Sequence, residues 1–511
     1  MTSGDQSATA DFLEGEAALL GRPVETITTH ISTVFMAGDR AFKLKRPVRF
    51  PYLDFSTAGL RLAFCEAELA LNRRTAPDLY LGVRRITREA DGRLAFDGTG
   101  PLVDAVVEMR RFAQHDLLDD MAQRNALTPA LVTDLAHRIA GFHRGAAASL
   151  DHGGAAGIAV VLDMNDRSLR AVTLVSDAAA DALRASFQNV FARHAPVLEA
   201  RRLAGKVRRC HGDLILRNIC LVDGIPTLFD CIEFDDAMAT IDVLYDLAFL
   251  LMDLWHRDRS DLANLLFNRY LDGTDEASGI GTLPFLMAVR AAIRSHVAAA
   301  QAAGQPSDKA ARTLAEARAY HDLALSLLKD SHASLVAVGG FSGSGKSTLA
   351  AQVASRLGPP PGARVLNSDR IRKRAQGVSA VTRLPPSAYR PEVSARVYAS
   401  LGDEASQALS AGCAVLADAV FDRQSERSAI EATATKAGVT FRGVWLEAPT
   451  TGLLASRIAD RRNDPSDATA EVLLDQVGRD CGDIVWQHLP ADADPMVTRD
   501  AILTSSPSPL T

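Results

Sequence analysis

The sequence predicts a multidomain chain of mixed class, α+β in its first two thirds and α/β with a parallel sheet in its last. Three observations lead there. At 511 residues the chain exceeds the roughly 250–300 at which a single hydrophobic core stops growing. A strand-rich beginning gives way to long helical periodicity. The closing segment then alternates short apolar strands with helix-like stretches, the pattern of a parallel sheet covered by helices.

In chain order, the runs 31–36 and 41–45 flank the turn Ala37-Gly38-Asp39-Arg40 and read as a β-hairpin. Residues 60–74 carry Leu62 and Leu69 at helical spacing and stop before Pro77, giving the one amphipathic helix expected in the first 85 residues. Strands are expected at 86–96, with a turn at Asp91-Gly92, and at 103–109. A helix follows at 130–144, and helical periodicity dominates to about residue 330, apart from a strand-rich island at 207–236. From 331 the strands are 335–340, 363–366, 414–417 and 443–446. The expected domains are therefore 1–110, 111–330 and 331–511, with a disordered tail at Ser505-Ser-Pro-Ser-Pro509.

Composition excludes several classes. The chain is 47% hydrophobic and 23% charged, with a formal net charge of −6, which argues against nucleic acid or an acidic membrane as general partner. Arg208-Arg209 and Arg461-Arg462 remain local candidates for phosphate. The six cysteines form no C-x-x-C pair, which speaks against a zinc or redox motif and for a reducing compartment. Residues 1–16 lack the pattern of a secretory signal. The most apolar run, 244–255, is broken by Asp246 and Asp253 and falls short of the ~20 residues that span a bilayer. A cytoplasmic protein is expected.

The most specific motif is Gly340-Phe-Ser342-Gly343-Ser344-Gly345-Lys346-Ser347-Thr348, which satisfies G-x-x-x-x-G-K-[ST]. An apolar strand precedes it and a helical run follows, as the motif requires. Glycines let backbone N–H groups turn in around a phosphate, and the helix N-terminus favours the anion. Lys346 is expected on the β/γ-phosphates of ATP and Ser347 on Mg²⁺. Beyond the second strand lies Asn367-Ser-Asp369-Arg-Ile-Arg372. Asp369 could accept the proton of an attacking hydroxyl and Arg372 hold a substrate anion; alternatively, Asp369 is a helix N-cap. Asp418, at the end of the third strand, reads as a Walker-B-like carboxylate near Mg²⁺, as an aid to Arg372, or as a strand-end cap. The arrangement resembles P-loop kinases of the polynucleotide-kinase, gluconate-kinase and zeta-toxin type. In that resemblance Arg457 and Arg461, four apart and hence on one helical face, belong to a lid closing on the transferring phosphate.

A second constellation lies upstream. His211-Gly-Asp213-Leu-Ile-Leu-Arg-Asn218 is followed by Asp230 in Leu228-Phe-Asp-Cys-Ile-Glu-Phe234, a spacing like that of a kinase catalytic loop and its metal aspartate. The wording is similar to the aminoglycoside phosphotransferase and choline kinase group, tightly at 207–250 and loosely over 25–330. That resemblance implies a protein-kinase-like two-lobed domain. It makes Asp213 the group that orients or deprotonates the acceptor hydroxyl, and Asn218 and Asp230 the Mg²⁺ ligands. Lys43 becomes the strand lysine on the ATP phosphates, with Lys45 as runner-up, and Glu68 its helix partner, with Glu66 the alternative. His211 and Asp246 become structural braces of the loop, and 107–110 the hinge against adenine. No glycine-rich loop precedes Gly38; Ser32 and Thr33 are the candidates to bind phosphate in its place. The segment 145–208 reads partly as an insertion able to shape an acceptor site.

The order of the two constellations resembles bacterial fused aminoglycoside-phosphotransferase-like and P-loop ATP-binding proteins. The resemblance implies an ATP- and Mg²⁺-dependent kinase acting on small hydroxylated acceptors at two nucleotide sites. Two other readings stand beside it: a nucleotide-gated regulator that binds ATP without turnover, and a polynucleotide 5′-hydroxyl kinase activity in the last domain. The lack of a broad basic, aromatic-rich stretch weighs against the latter.

Overall fold

The computed structural model of the protein describes residues 6–18, 23–50, 53–461 and 464–504. The expected disordered tail and Arg462 of the second basic pair lie outside them. Contacts divide the chain into two units, Met1–Val161 with Leu198–Asp253, and Leu162–Val197 with Leu254–Thr511.

The first unit opens with helix α1 (Ser7–Ala18) and the strands β1 (Glu25–Thr28), β2 (Ser32–Ala37) and β3 (Arg40–Lys45). Helix α2 (Ala58–Asn72) follows, then β4 (Tyr80–Arg88), β5 (Leu94–Phe96) and β6 (Leu102–Arg110). The strands form one six-stranded antiparallel sheet in the order β1-β2-β3-β6-β4-β5. The β2–β3 hairpin turns where the sequence asks for it, Gly38 supplying a φ of 56° that side chains with a Cβ adopt reluctantly. Successive residues of β3 face opposite sides. Phe42 and Leu44 join Leu13, Phe35, Ile86 and Val106 on one face. Ala41 joins Cys65, Leu79, Tyr80, Val107 and Met109 on the other, and Lys43 and Lys45 share that second parity.

Two helices, not one, serve this sheet. Helix α1 escaped the sequence reading because SATADFLEGEAA has few apolar residues and no clear stripe; Leu13, fully buried, anchors it. Helix α2 starts at Thr57, whose hydroxyl accepts from Leu60 N at 3.2 Å, a standard N-cap. Its buried residues Arg61, Cys65, Glu68 and Asn72 lie along one stripe at helical spacing, and three of the four are polar. Val107 and Met109 of the expected hinge lie within β6 and pack in the core under α2.

The rest of the first unit carries α3 (Pro129–Gly145), the ribbon β7 (Val207–Arg209), the hairpin β8 (Ile219–Val222) and β9 (Ile225–Leu228), β10 (Thr240–Asp242) and α4 (Val243–His256). Strand β10 pairs with β7 and β9 with β8, so residues 210–218 run from one ribbon to the other.

In the second unit, α5 (Ser260–Asp272) and the helices Leu283–Ala302 and Ser307–Leu327 precede a five-stranded sheet. Its strands are β11 (Ser334–Gly339), β12 (Arg364–Asn367), β13 (Val415–Asp418), β14 (Thr440–Glu447) and β15 (Gln487–Pro490), all parallel, in the order β12-β13-β11-β14-β15. Strand β15 was not expected; it is a short edge strand with two exposed residues, too polar to read as an apolar run. Helices α6 (Lys346–Ala354), α7 (Ser368–Ala375) and α8 (Thr451–Ala459) follow β11, β12 and β14. No described helix is long and apolar enough to cross a membrane.

The outer edge of β12 is closed by a helix instead of a strand. Asn264, Asn268 and Asp272 recur every four residues and so share one face of α5. Asn268 accepts from Val365 N at 2.7 Å and donates to Ala363 O at 3.1 Å, the two bonds a neighbouring strand would make. Asn264 donates to Pro361 O and Ala363 O, both at 3.0 Å, and Asp272 takes Arg364 at 2.8 Å. A sheet edge covered in this way is protected from adventitious pairing. Replacing Asn268 by the near-isosteric Leu would strand the buried Val365 N–H at a cost of about 1–3 kcal/mol. A fall of that size in urea-unfolding free energy is expected, and an unchanged midpoint would refute this account of the edge.

Candidate functional sites

The first site grows from the alternation of β3. Lys43 and Lys45 share Glu68, one on each carboxylate oxygen, at 2.8 and 2.7 Å. Lys43 continues to Asp230 Oδ1 at 2.5 Å, and Lys45 also pairs with Glu233. Of the two lysine candidates, Lys43 is therefore the one that joins Glu68 to the expected metal aspartate. Glu66, the alternative helix partner, is exposed. Burial opposes the charge on Lys43, but Asp230 and Glu68 outweigh it and hold its pKa well above the ordinary value. Burial likewise disfavours the Glu68 carboxylate, and the two lysines reverse the balance and lower its pKa. Charges buried like this survive only as a paired set.

Asp230 has a left-handed φ of 64°, a strained conformation of the kind that persists only where its surroundings enforce it. Here Tyr80 Oη accepts from Asp230 N at 3.2 Å and Asn72 Oδ1 from Cys231 N at 2.9 Å. Neither Tyr80 nor Asn72 stands out in the sequence, since each bonds across a distance in the chain that no local pattern marks.

Asp246 binds the backbone of the expected catalytic loop, accepting from His211 N at 3.1 Å and Gly212 N at 2.8 Å, and it pairs with His143 Nε2 at 3.0 Å. Potential ligand atoms of His143, Cys210 and Asp246 lie within 4.8 Å of one another, but the hydrogen bonds of Asp246 make this trio a brace for the loop. His211 is buried and reaches Phe229 O at 2.9 Å. Asp213 Oδ2 accepts from Asn218 Nδ2 at 2.8 Å and from Arg217 Nη2 at 3.2 Å. Because the amide nitrogen of Asn218 is held by Asp213, its amide oxygen points the other way. That oxygen and the Asp230 carboxylate are both oxygen donors, the ligand type that Mg²⁺ takes. Arg217 was overlooked in the sequence, where an arginine beside Asn218 reads as a solvated charge. Ser32 is 2% exposed, and its hydroxyl is buried without a hydrogen-bond partner.

The second site is built at the junction of β11 and α6. Gly340 and Gly343 have φ of 137° and 87°, and a Cβ on Gly343 would lie 2.5 Å from Leu454 O, so only glycine fits there. Gly345, at φ 91°, caps α6. The Lys346 ammonium donates to Gly340 O at 2.7 Å and Phe341 O at 2.9 Å. Ser347 Oγ donates to Asp418 Oδ2 at 2.7 Å, which joins the two expected Mg²⁺ residues in an oxygen-only set fit for that ion. Thr348 is exposed beside Ser347 at the helix start. Ser342 N is held by Gln476 Oε1 at 2.9 Å, while the Ser344 hydroxyl is buried with no hydrogen-bond partner.

Asn367, not Asp369, caps α7, its Oδ1 accepting from Arg370 N at 3.0 Å and its Nδ2 donating to Asp418 at 2.7 Å. The N-cap alternative for Asp369 is thereby removed: Asp369 sits in the first turn. Burial pushes its carboxyl pKa up, against a hydrogen bond from Ser466 and the charge of Arg372. Arg372 stacks on Tyr389 at 4.7 Å and donates to Ala388 O at 2.8 Å, while its buried Nε has no partner. Lys373, Tyr389 and Leu384 N converge on Asp467 at 3.0, 2.7 and 2.9 Å, tying the segment after α8 to α7. Arg457 donates to Ala491 O at 3.0 Å.

The shared helical face expected for Arg457 and Arg461 does not exist. Helix α8 ends at Ala459, so Arg461 lies beyond the cap, in a segment rich in Asp, Asn and Pro that cannot extend it. Its Nη1 is buried without a hydrogen-bond partner, and its charge helps to lower the pKa of Lys346. In the other basic pair, Arg208 donates to Ala146 O at 2.7 Å and Arg209 to Ile232 O at 2.8 Å. Both are used in folding.

Comparison with known proteins finds two families along the chain. Residues 65–280 match the phosphotransferase enzyme family and residues 335–479 the AAA domain family. An uncharacterized protein of Mycobacterium tuberculosis is 31% identical over 465 residues, covering 88% of both chains. A choline/ethanolamine kinase family protein from Mesorhizobium loti is 16% identical, covering 63% of this chain and 99% of its own at a TM-score of 0.36. A gluconokinase from Sinorhizobium meliloti is 20% identical, covering 33% and 87% at a TM-score of 0.23.

Burial pushes Lys346 down to about 8, although Asp418 and Asp369 favour its charge. An arriving phosphate favours the ammonium form, so binding of Mg-ATP just above that pH must take up protons, and well below it must not. Titration calorimetry in buffers of different ionisation enthalpy should show this uptake in the native chain and lose it in Lys346→Ala. Equal uptake by both chains would refute the role of Lys346.

Proposed function

We propose, from the premise that the chain belongs to the family joining a phosphotransferase-enzyme domain to an AAA P-loop domain, that it transfers the γ-phosphoryl group of ATP to hydroxyls of small acceptors at two separate sites. The kinase-like and P-loop kinase-like domains are those of a phosphotransferase; the two-site action, the Mg²⁺ and the class of acceptor are our reading. One observation carries it. Each unit brings side chains of the needed kinds together within itself: Lys43 meets Asp230 and Asn218 meets Asp213 in the first, and in the second Ser347 meets Asp418 while Asp369 sits in the first turn of α7.

In the first site Lys43 binds the ATP phosphates and Glu68 fixes its position. Asp213 accepts the acceptor's proton, and Asn218 and Asp230 hold Mg²⁺. In the second site Lys346 and the loop N–H groups receive the phosphates, Ser347 and Asp418 serve Mg²⁺, and Asp369 takes the proton. There Arg372 orients the acceptor, and Arg457 and Arg461 lie over the transferring group. Mg²⁺ supplies charge neutralisation on the phosphates at both places. Such division suits phosphoryl transfer, where positioning and electrostatics provide most of the rate. Residues 1–110 and 111–330 then serve as the lobes of the first enzyme and 331–511 as the second, with helix α5 of the middle segment closing the sheet edge of the second. The six free cysteines fit a cytoplasmic setting.

The test is label transfer from γ-labelled ATP with Mg²⁺ to a panel of sugars, nucleosides and aminoglycosides. Asp213→Ala and Lys346→Ala should each abolish labelling of a different acceptor, by on the order of 10²-fold or more, and the double variant should label none. Stoichiometric ATP binding without any turnover would instead favour a nucleotide-gated regulator. Singles that leave all labelling intact would overturn the proposal.

A further inference from the structure

The residues 29–31 that join β1 to β2 contain no glycine, and their backbone is occupied. Thr29 N donates to Ser32 O at 2.8 Å, and Ser32 N donates to Thr29 Oγ1 at 3.0 Å. Arg46 Nη1 donates to Thr29 O at 2.9 Å and His30 O at 3.3 Å, while its own N–H binds Ile31 O at 2.8 Å. A glycine-rich kinase loop covers the phosphates. Here the N–H groups of Thr29 and Ser32 are tied within the loop, so fewer backbone donors remain for the outer side of a γ-phosphoryl group and a side-chain cation has a part to play there.

One side chain supplies it. His30, at the loop tip, is held towards its neutral form, since burial, then Arg217, then Arg46 lower its pKa and Asp213 acts the other way; the lasting positive charge in its neighbourhood is that of Arg217. Arg217 lies in the short turn Leu216–Asn218, with Nη2 on Asp213 Oδ2 at 3.2 Å and nearly half its side chain exposed. Asp230 and Asp253 also act on its guanidinium. Arg217 thus touches the expected proton acceptor at 3.2 Å, and its charge acts on His30 and is acted on by Asp230.

We propose that Arg217 is a catalytic arginine carried by the loop itself, which orients Asp213 before transfer and meets the γ-phosphoryl oxygens during it, in place of the missing glycine-loop N–H groups. The inference rests on the phosphotransferase reading of the first site. In the step it serves, the acceptor O–H proton passes to Asp213 and the acceptor oxygen bonds to phosphorus. The bond from phosphorus to the β–γ bridging oxygen breaks, and ADP leaves with the electron pair. Arg217 remains a cation throughout. An arginine so placed stabilises charge that peaks in the transition state, so its loss should lower kcat far more than it changes KM.

The experiment uses the full chain carrying Lys346→Ala to silence the second site, with Mg-ATP and water as acceptor, and measures phosphate release. Adding Arg217→Met should lower kcat by on the order of 10²–10³-fold, with KM for ATP within about threefold. Arg217→Lys should recover part of the rate, because it restores the charge but not the planar fork. Millimolar methylguanidine should raise the rate of Arg217→Ala, a response that a merely structural role would not give. Unchanged kcat in Arg217→Met, or a loss that neither lysine nor methylguanidine relieves, would overturn the role of Arg217 alone. A Lys346→Ala chain that binds no Mg-ATP, or binds it without turnover, would instead overturn the reading of the first site and this inference with it.

Discussion

Two ammonium groups and three carboxylates meet beneath helix α2, and the first unit is organised by the need to keep them paired. Lys43, Lys45, Glu68, Asp230 and Glu233 come from a strand, a helix and a loop nearly two hundred residues apart. Removing one partner of a buried pair leaves an uncompensated charge that costs about 3–5 kcal/mol. The set therefore fixes the register of β3 against α2 and holds the Asp230 loop to both. Arg61 with Asp104 at 2.7 Å and Arg201 with Asp242 at 2.7 Å repeat the device elsewhere in the unit. Asp246 does the same for the backbone of the catalytic loop, with His143 behind it.

The second unit solves a related problem with main-chain geometry. Glycines at positive φ let the chain pass close to Leu446 and Leu454, and the start of α6 then directs N–H groups at one point. The orphaned polar atoms Ser344 Oγ, Arg372 Nε and Arg461 Nη1 belong to this neighbourhood. Buried donors without partners are costly in a finished fold, and a ligand rich in acceptor oxygens would satisfy these three. Asn367 links the two carboxylate positions, capping the helix that bears Asp369 while binding Asp418. Its strand is in turn held at the edge by Asn268, so a side-chain amide on α5 helps to set the position of the site.

The elements carrying the chemistry were legible one by one. The glycine loop, its lysine and serine, and the His-Gly-Asp to Asn to Asp spacing depend on neighbours within a few residues, and local geometry follows from such patterns. Helix α1 and strand β15 were not legible, because each is short of apolar residues and exists through packing against something remote. The pairing of Arg457 with Arg461 on one face failed because a helix boundary, and not the spacing, decided it. Tyr80, Asn72 and Gln476 carried no local signal at all, and Arg217 carried only its place four residues after Asp213.

The sequence alone determined the order of the two constellations, the period-two face of β3 that bears both lysines, and the oxygen-bearing residue types gathered at each. These are properties of adjacent residues and of backbone periodicity. Only the tertiary structure decided that Lys43 bridges Glu68 and Asp230, that Ser347 and Asn367 both meet Asp418, and that Tyr80 and Asn72 hold the backbone of the Asp230 loop. Those outcomes depend on distances between segments far apart in the chain, which burial and charge pairing set together and no window of sequence contains.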